Sequence, residues 1–98
     1  MARSSRLESG FQDRLRDEIR AMFPGCMVFK MDQHQGIPDL LVLYKDKWAS
    51  IENKKSAKAK RQPNQEYYVN KMNEMSFSRF ACPENKDEVL NDLKNHFK

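Results

Sequence analysis

Long apolar runs are missing from this chain of 98 residues, and so is any dense set of cysteines. No stretch approaches the roughly 20 apolar residues that cross a bilayer, which excludes a helical membrane protein. The opening Met1-Ala2-Arg3-Ser4-Ser5-Arg6 lacks the hydrophobic segment of a secretory signal, so a cytoplasmic location is expected. Two cysteines, Cys26 and Cys82, are too few for a stapled scaffold, and with His34 and His96 they match no zinc-ligand spacing. Reduced thiols are expected. Glycine (3) and proline (4) are scarce, and no repeat, low-complexity tract or Gly/Ser linker divides the chain. A single domain over residues 1–98 follows.

Charge is what the chain has in quantity. One residue in three is charged (33%) against 39% apolar, so folding must rest on strict patterning rather than on bulk hydrophobicity. The net charge is +4, from 18 basic and 14 acidic residues. Such an excess favours a polyanionic partner, although many soluble domains share it.

The patterning divides the chain into seven elements. Leu7, Phe11, Leu15, Ile19 and Met22 recur at helical steps, predicting a helix over Ser5–Met22 that ends at Phe23-Pro24-Gly25. Ser5 and Glu8 have the spacing of a capping box at its start. Met27–Met31 reads as a short strand. Leu40-Leu41-Val42-Leu43, within Ile37–Tyr44, is too short for a helix and fits a strand buried on both faces. Trp48–Lys55 follows as a third strand. Gln62-Pro63-Asn64 opens a helix running to about Met75. Phe77–Cys82 is a last strand, and Asn85 is placed to cap a final helix with Val89, Leu90, Leu93 and Phe97 inward. The expected fold is α/β, with a small mixed sheet flanked by helices.

The chemistry concentrates in Gly36-Ile37-Pro38-Asp39 and, thirteen residues after Asp39, Glu52-Asn53-Lys54. Side chains alternate along a strand, so Glu52 and Lys54 share a face. If Lys45-Asp46 is a two-residue hairpin loop, Tyr44 pairs with Lys47 and Asp39 falls opposite Glu52. A loop two residues longer would place Asp39 opposite Lys54. Opposed carboxylates repel and destabilise a sheet. Flanking a hard divalent cation they do not, and Mg²⁺ or Mn²⁺ held there could polarise a phosphodiester and lower the pKa of a bound water. The plainer reading is a surface hairpin in which Lys54 neutralises two exposed acids.

Ile37-Pro38-Asp39 with Glu52-Asn53-Lys54 resembles the core of the PD-(D/E)xK nucleases. Gly-Ile-Pro-Asp-Leu-Leu, a lysine-rich loop and Gln-Pro-Asn-Gln-Glu-Tyr-Tyr are similar to its virus-type replication-repair nuclease (VRR-NUC) branch, whose small stand-alone members occur in bacteriophages. The likeness spans about Leu7 to Cys82 and implies a restriction-endonuclease-like α-β-β-β-α-β core, here with a C-terminal helix. It implies that Asp39, Glu52 and the Asn53 carbonyl hold Mg²⁺ or Mn²⁺, that Lys54 is the catalytic lysine, and that Gln65 is the active-site glutamine with Tyr68 beside it. The family's first helix often contributes a glutamate. Glu8 is one choice for that acid. Its rival, Glu18, falls between Leu7 and Phe11 on the apolar stripe. Asn53 departs from the pattern, because the middle residue of ExK is usually apolar.

Lys54 to Arg61 holds five cations in eight residues. Such a run is ordinarily a solvated loop; beside a phosphodiester site, Lys55, Lys58, Lys60 and Arg61 become a clamp for the DNA backbone. An unfixed terminus is the default reading of Arg3 and Arg6; held in place, they would extend that footprint. Gly36 allows a tight turn or close substrate approach, and His34 reads as an exposed loop histidine. The resemblance implies an endonuclease acting on branched DNA such as four-way junctions, and two sites on a symmetric junction suit a homodimer. The competing class is a non-catalytic basic nucleic-acid-binding or protein-interaction module with a nuclease-like fold.

Overall fold

The computed structural model describes the backbone of residues 2–31 and 34–98 and the side chains of residues 10–31 and 34–98. The side chains of Arg3, Ser5, Arg6, Leu7 and Glu8, and the loop residues Asp32 and Gln33, lie outside the described residues. The elements are α1 (Ala2–Met22), β1 (Met27–Lys30), β2 (Leu40–Tyr44), β3 (Lys47–Asn53), α2 (Gln65–Met75), β4 (Ser78–Ala81) and α3 (Lys86–His96). Helix α1 begins before Ser5, which is therefore not its cap.

The sheet has the order β1-β2-β3-β4. Its first three strands are antiparallel neighbours, and β4 returns parallel to β3 after the α2 crossover. Tyr44 pairs with Lys47 across a two-residue loop, with Lys45 in the left-handed region at φ 58°. That loop fixes the register of everything upstream.

Alternation sorts the strand residues onto two faces. Leu40, Val42, Ala49, Ile51 and Ala81 point to one face and form the core with Phe11, Leu15 and Ile19 of α1 and Val89, Leu90 and Leu93 of α3. Of the stripe that periodicity predicted on the first helix, Phe11, Leu15 and Ile19 are buried, Met22 at the helix end is 39% exposed, and the Leu7 side chain lies outside the described residues. Phe23, Tyr44 and Phe97 close one end of this core, with ring centroids 5.2–5.4 Å apart.

The opposite face is covered over only part of its width. Helix α2 lies against β3 and β4, where the Ser50 hydroxyl donates to Ser78 Oγ at 2.8 Å, Met72 lies beside it, and Val69 is buried. Over β1 and β2 the same face stays open: Met27 is 54% and Phe29 44% exposed, and Leu41 and Leu43 are half-buried. The expectation that β2 is buried on both faces therefore fails, because α2 does not reach it.

Two helix starts also differ from expectation. Helix α2 begins at Gln65, not Gln62; Asn64 stands before it at φ 71° without a side-chain cap. Asn85 precedes α3, but its side chain pairs with β4 instead of capping the helix. It accepts from Cys82 N–H at 2.8 Å and donates to Phe80 C=O at 3.0 Å. Ser78 N–H donates to Asn73 Oδ1, and Ser78 C=O accepts from Arg79. Side chains thus occupy the outer edge of β4, where a strand would otherwise offer its backbone to another chain. No helix among the described residues is long and apolar enough to cross a membrane.

Candidate active site

The site forms where the β2–β3 hairpin meets the start of α2. Leu40 pairs with Ile51, so one further step of the same register sets Asp39 opposite Glu52. Asp39 stands just outside the β2 ladder, and its Oδ2 accepts a hydrogen bond from Asn53 N–H at 3.1 Å. Burial pushes its carboxyl pKa above the ordinary carboxylate value. The Asn53 hydrogen bonds and the charges of Lys54 and Lys30 oppose that rise without cancelling it.

Glu52 is 2% exposed, an extreme position for a carboxylate. Gln65, the first residue of α2, donates from Nε2 to Glu52 Oε2 at 2.9 Å. Its Oε1 accepts from Gln62 N–H at 2.7 Å. One carboxamide therefore ties the helix entrance to the Glu52 carboxylate. Lys54 is 7% exposed, and its ammonium donates to Lys60 C=O at 3.2 Å, leaving two further donor hydrogens.

Asn53 points to the α1 side of the sheet and is fully buried. Its carboxamide lies close enough to Asp39 to favour the ionised form, yet neither Nδ2 nor Oδ1 completes a hydrogen bond among the described residues. A buried amide in that state costs about 1–3 kcal/mol.

Gly36 is buried at φ 94°, and a Cβ there would stand 2.7 Å from Asn64 Cβ and 3.1 Å from Pro63 C=O. The close approach it permits is to the chain itself, bringing the loop before Asp39 against the entrance to α2. Tyr68, one turn into α2, is half-buried. Glu18 pairs with Lys86 at 2.9 Å, an α1–α3 contact, while the Glu8 side chain is outside the described residues.

The lysine-rich loop is held at several points. Ala57 N–H donates to Glu84 Oε1 at 3.2 Å, Lys60 C=O receives Lys54, and Arg61 pairs with Glu66 at 2.8 Å. The Arg61 guanidinium also stacks on Phe80, 3.7 Å from the ring centre. Lys55, Lys58 and Lys60 are exposed along this loop, as is His34 before the site. Periodicity could not have signalled the Arg61–Phe80 stack, which joins residues 19 apart, nor the Asn85 pairing, which turns a side chain back onto residues three and five positions before it instead of onto its own helix.

Asp39 is thus hydrogen-bonded to the Asn53 backbone and Gln65 to Glu52, with Lys54 next in the chain; spacing predicted that Asp39 falls opposite Glu52, whereas Gln65 was implied only by the resemblance. Two carboxylates and a backbone carbonyl suit a cation that retains several waters, as Mg²⁺ does. The described residues contain no group of three His, Cys, Asp or Glu side chains placed to hold a metal. No protein-family model, curated protein or solved structure matches the chain.

Proposed function

We propose that the protein is a metal-dependent endonuclease hydrolysing DNA phosphodiesters, with a restriction-endonuclease-like core of the VRR-NUC kind. The observation that carries this reading is the register that sets Asp39 opposite a buried Glu52, with Lys54 just past the end of the same strand and Gln65 bonded to the Glu52 carboxylate. Holding a carboxylate as buried as Glu52 is costly unless a counter-charge meets it, and a cation bound between it and the half-buried Asp39 would supply one.

Asp39, Glu52 and the Asn53 carbonyl would hold Mg²⁺ or Mn²⁺, which supplies Lewis-acid polarisation of the phosphodiester and activation of water. Gln65 fixes the Glu52 carboxylate, so that no reorientation is needed when substrate arrives. Lys54 brings positive charge to the phosphoryl oxygens as negative charge grows on them. Lys55, Lys58, Lys60 and Arg61 attract the DNA backbone without reading sequence.

Branched DNA such as a four-way junction is the proposed substrate, cut by a homodimer whose two sites are related by a twofold axis. The open face of β1 and β2, with Met27 and Phe29 at the surface, supports a second copy docked there, because an apolar patch on a twofold axis is its own complement. The alternative is a non-catalytic nucleic-acid-binding module, for which the exposed Lys55, Lys58 and Lys60 along the loop suffice without a metal site.

Cleavage decides between these readings. Labelled linear, nicked, flap and four-way DNA are incubated with Mg²⁺ or Mn²⁺, comparing wild type with Asp39→Asn and Lys54→Ala. Wild type should cut, and each variant should lose about 100-fold or more in rate. Binding without cutting under either metal sinks the enzyme reading, whereas equal cutting of all substrates removes only the preference for junctions.

A further inference from the structure

A groove of about 410 Å³ runs between α2 and the outer edge of β4. It shares Arg61, Phe80 and Asn85 with a narrower cleft of about 120 Å³ whose wall includes Lys54. The two therefore adjoin along a shared wall, and their combined lining, a trough along β4, runs from the candidate catalytic lysine past the Arg61–Phe80 stack to Arg79.

The lining is chemically uneven in an informative way. The Arg61 guanidinium sits over the Phe80 ring and is paired with Glu66, while about half of its side chain remains exposed. It presents a rigid cationic plane. At the far end Arg79 is gripped by the Phe77 ring at 4.2 Å, by Asn73 and by Asp92 at 3.7 Å. Asn70 adds an exposed carboxamide to the wall. Guanidinium planes stack on bases, carboxamides bond base edges and fixed cations take phosphates. Exposed ion pairs such as those with Glu66 and Asp92 are weak, so a phosphate can compete for either arginine. A duplex keeps its base faces stacked inward; only an unpaired strand can lay a base on Arg61.

We propose that this trough is the track of a single DNA strand, the unpaired arm of a branched substrate leaving the site at Lys54. The site end of the track rests on the endonuclease reading; the binding chemistry of the groove does not.

The test separates the two. Fluorescence anisotropy in EDTA measures binding of labelled oligo(dT) and of a matched duplex to wild type, Asn70→Glu, Asn70→Lys and Arg79→Ala, and cleavage of a flap in Mg²⁺ is followed in parallel. Circular dichroism establishes that each variant is folded, and the exposed Asn70 pair carries the result if Arg79→Ala is not. The expected result is a loss of about fivefold or more in oligo(dT) affinity for Asn70→Glu and Arg79→Ala, a gain for Asn70→Lys, and unchanged duplex affinity. Unchanged oligo(dT) affinity, or equal losses for single strand and duplex, overturns the track even if wild type cuts DNA normally. Competition by polyglutamate as effective as by unlabelled oligo(dT) also overturns it, since the groove would then be a site for acidic protein. The expected binding pattern in a wild type that never cuts supports the track and overturns the endonuclease.

Discussion

At Asp39 the requirements of folding and of the proposed chemistry oppose each other. Burial raises its pKa above the unfolded value, so the folded chain holds that proton more tightly than the unfolded chain. The resulting stabilisation is complete below the unfolded pKa of about 3.9 and is lost as pH rises through the folded value. At neutral pH the ionised, largely buried carboxylate is a burden on the fold. Asp39→Asn should therefore melt at a higher temperature than wild type at pH 7, and the difference should close as pH falls below about 4. Added Mg²⁺ should raise the melting temperature of wild type and leave Asp39→Asn unmoved. Thermal melts across pH, with and without Mg²⁺, check both statements; a variant less stable than wild type at pH 7 contradicts the first. The glutamine is a different case. Nothing about Gln65 as a residue marks it, and its place was readable only from the order of motifs around it. Its bonds to Glu52 and to Gln62 N–H give that place a physical content.

Local rules carried the element order and the pairing of β2 with β3 a long way. A two-residue loop sets the register of the hairpin from Tyr44–Lys47 to Leu40–Ile51, and Asp39 then falls one step beyond it, opposite Glu52 in register. Coverage was less legible. Leu40 to Leu43 is continuously apolar, as in a strand buried on both faces, yet half of it faces an uncovered surface. Which strands a crossover helix covers depends on where β4 joins the sheet, and no window of sequence holds that information. Asn85 shows the same limit: it stands where a cap belongs but its side chain serves β4. Asn85→Ala should cost about 1–3 kcal/mol, because Phe80 C=O and Cys82 N–H both lose their partner. Asn85→Asp, which keeps the acceptor for Cys82 N–H, should cost less. Urea denaturation measures both, and equal stability of Asn85→Ala and wild type would show that water replaces the side chain at this edge.

At the scale of the molecule, the two edges and two faces of the sheet are treated unequally. The β4 edge is occupied by Asn73, Arg79 and Asn85, and the cationic loop and trough lie on that side. The other side carries β1, with Met27 and Phe29 outward. The cationic run Lys54 to Arg61 thus lies on the half that would meet DNA, and the apolar patch of β1 and β2 is left for another partner. A second copy presents the same apolar patch, and its twofold axis would turn the two basic loops outward to separate arms of a junction. Phe29→Asp should place two carboxylates against each other across such an axis while disturbing an exposed position of the monomer. Wild type should sediment as a dimer and Phe29→Asp as a monomer with unchanged circular dichroism. The variant should nick one strand of a four-way junction at a time, because each site retains its own Asp39, Glu52 and Lys54. A wild type that stays monomeric at every concentration refutes the interface, and a dimer that survives Phe29→Asp moves it to another face.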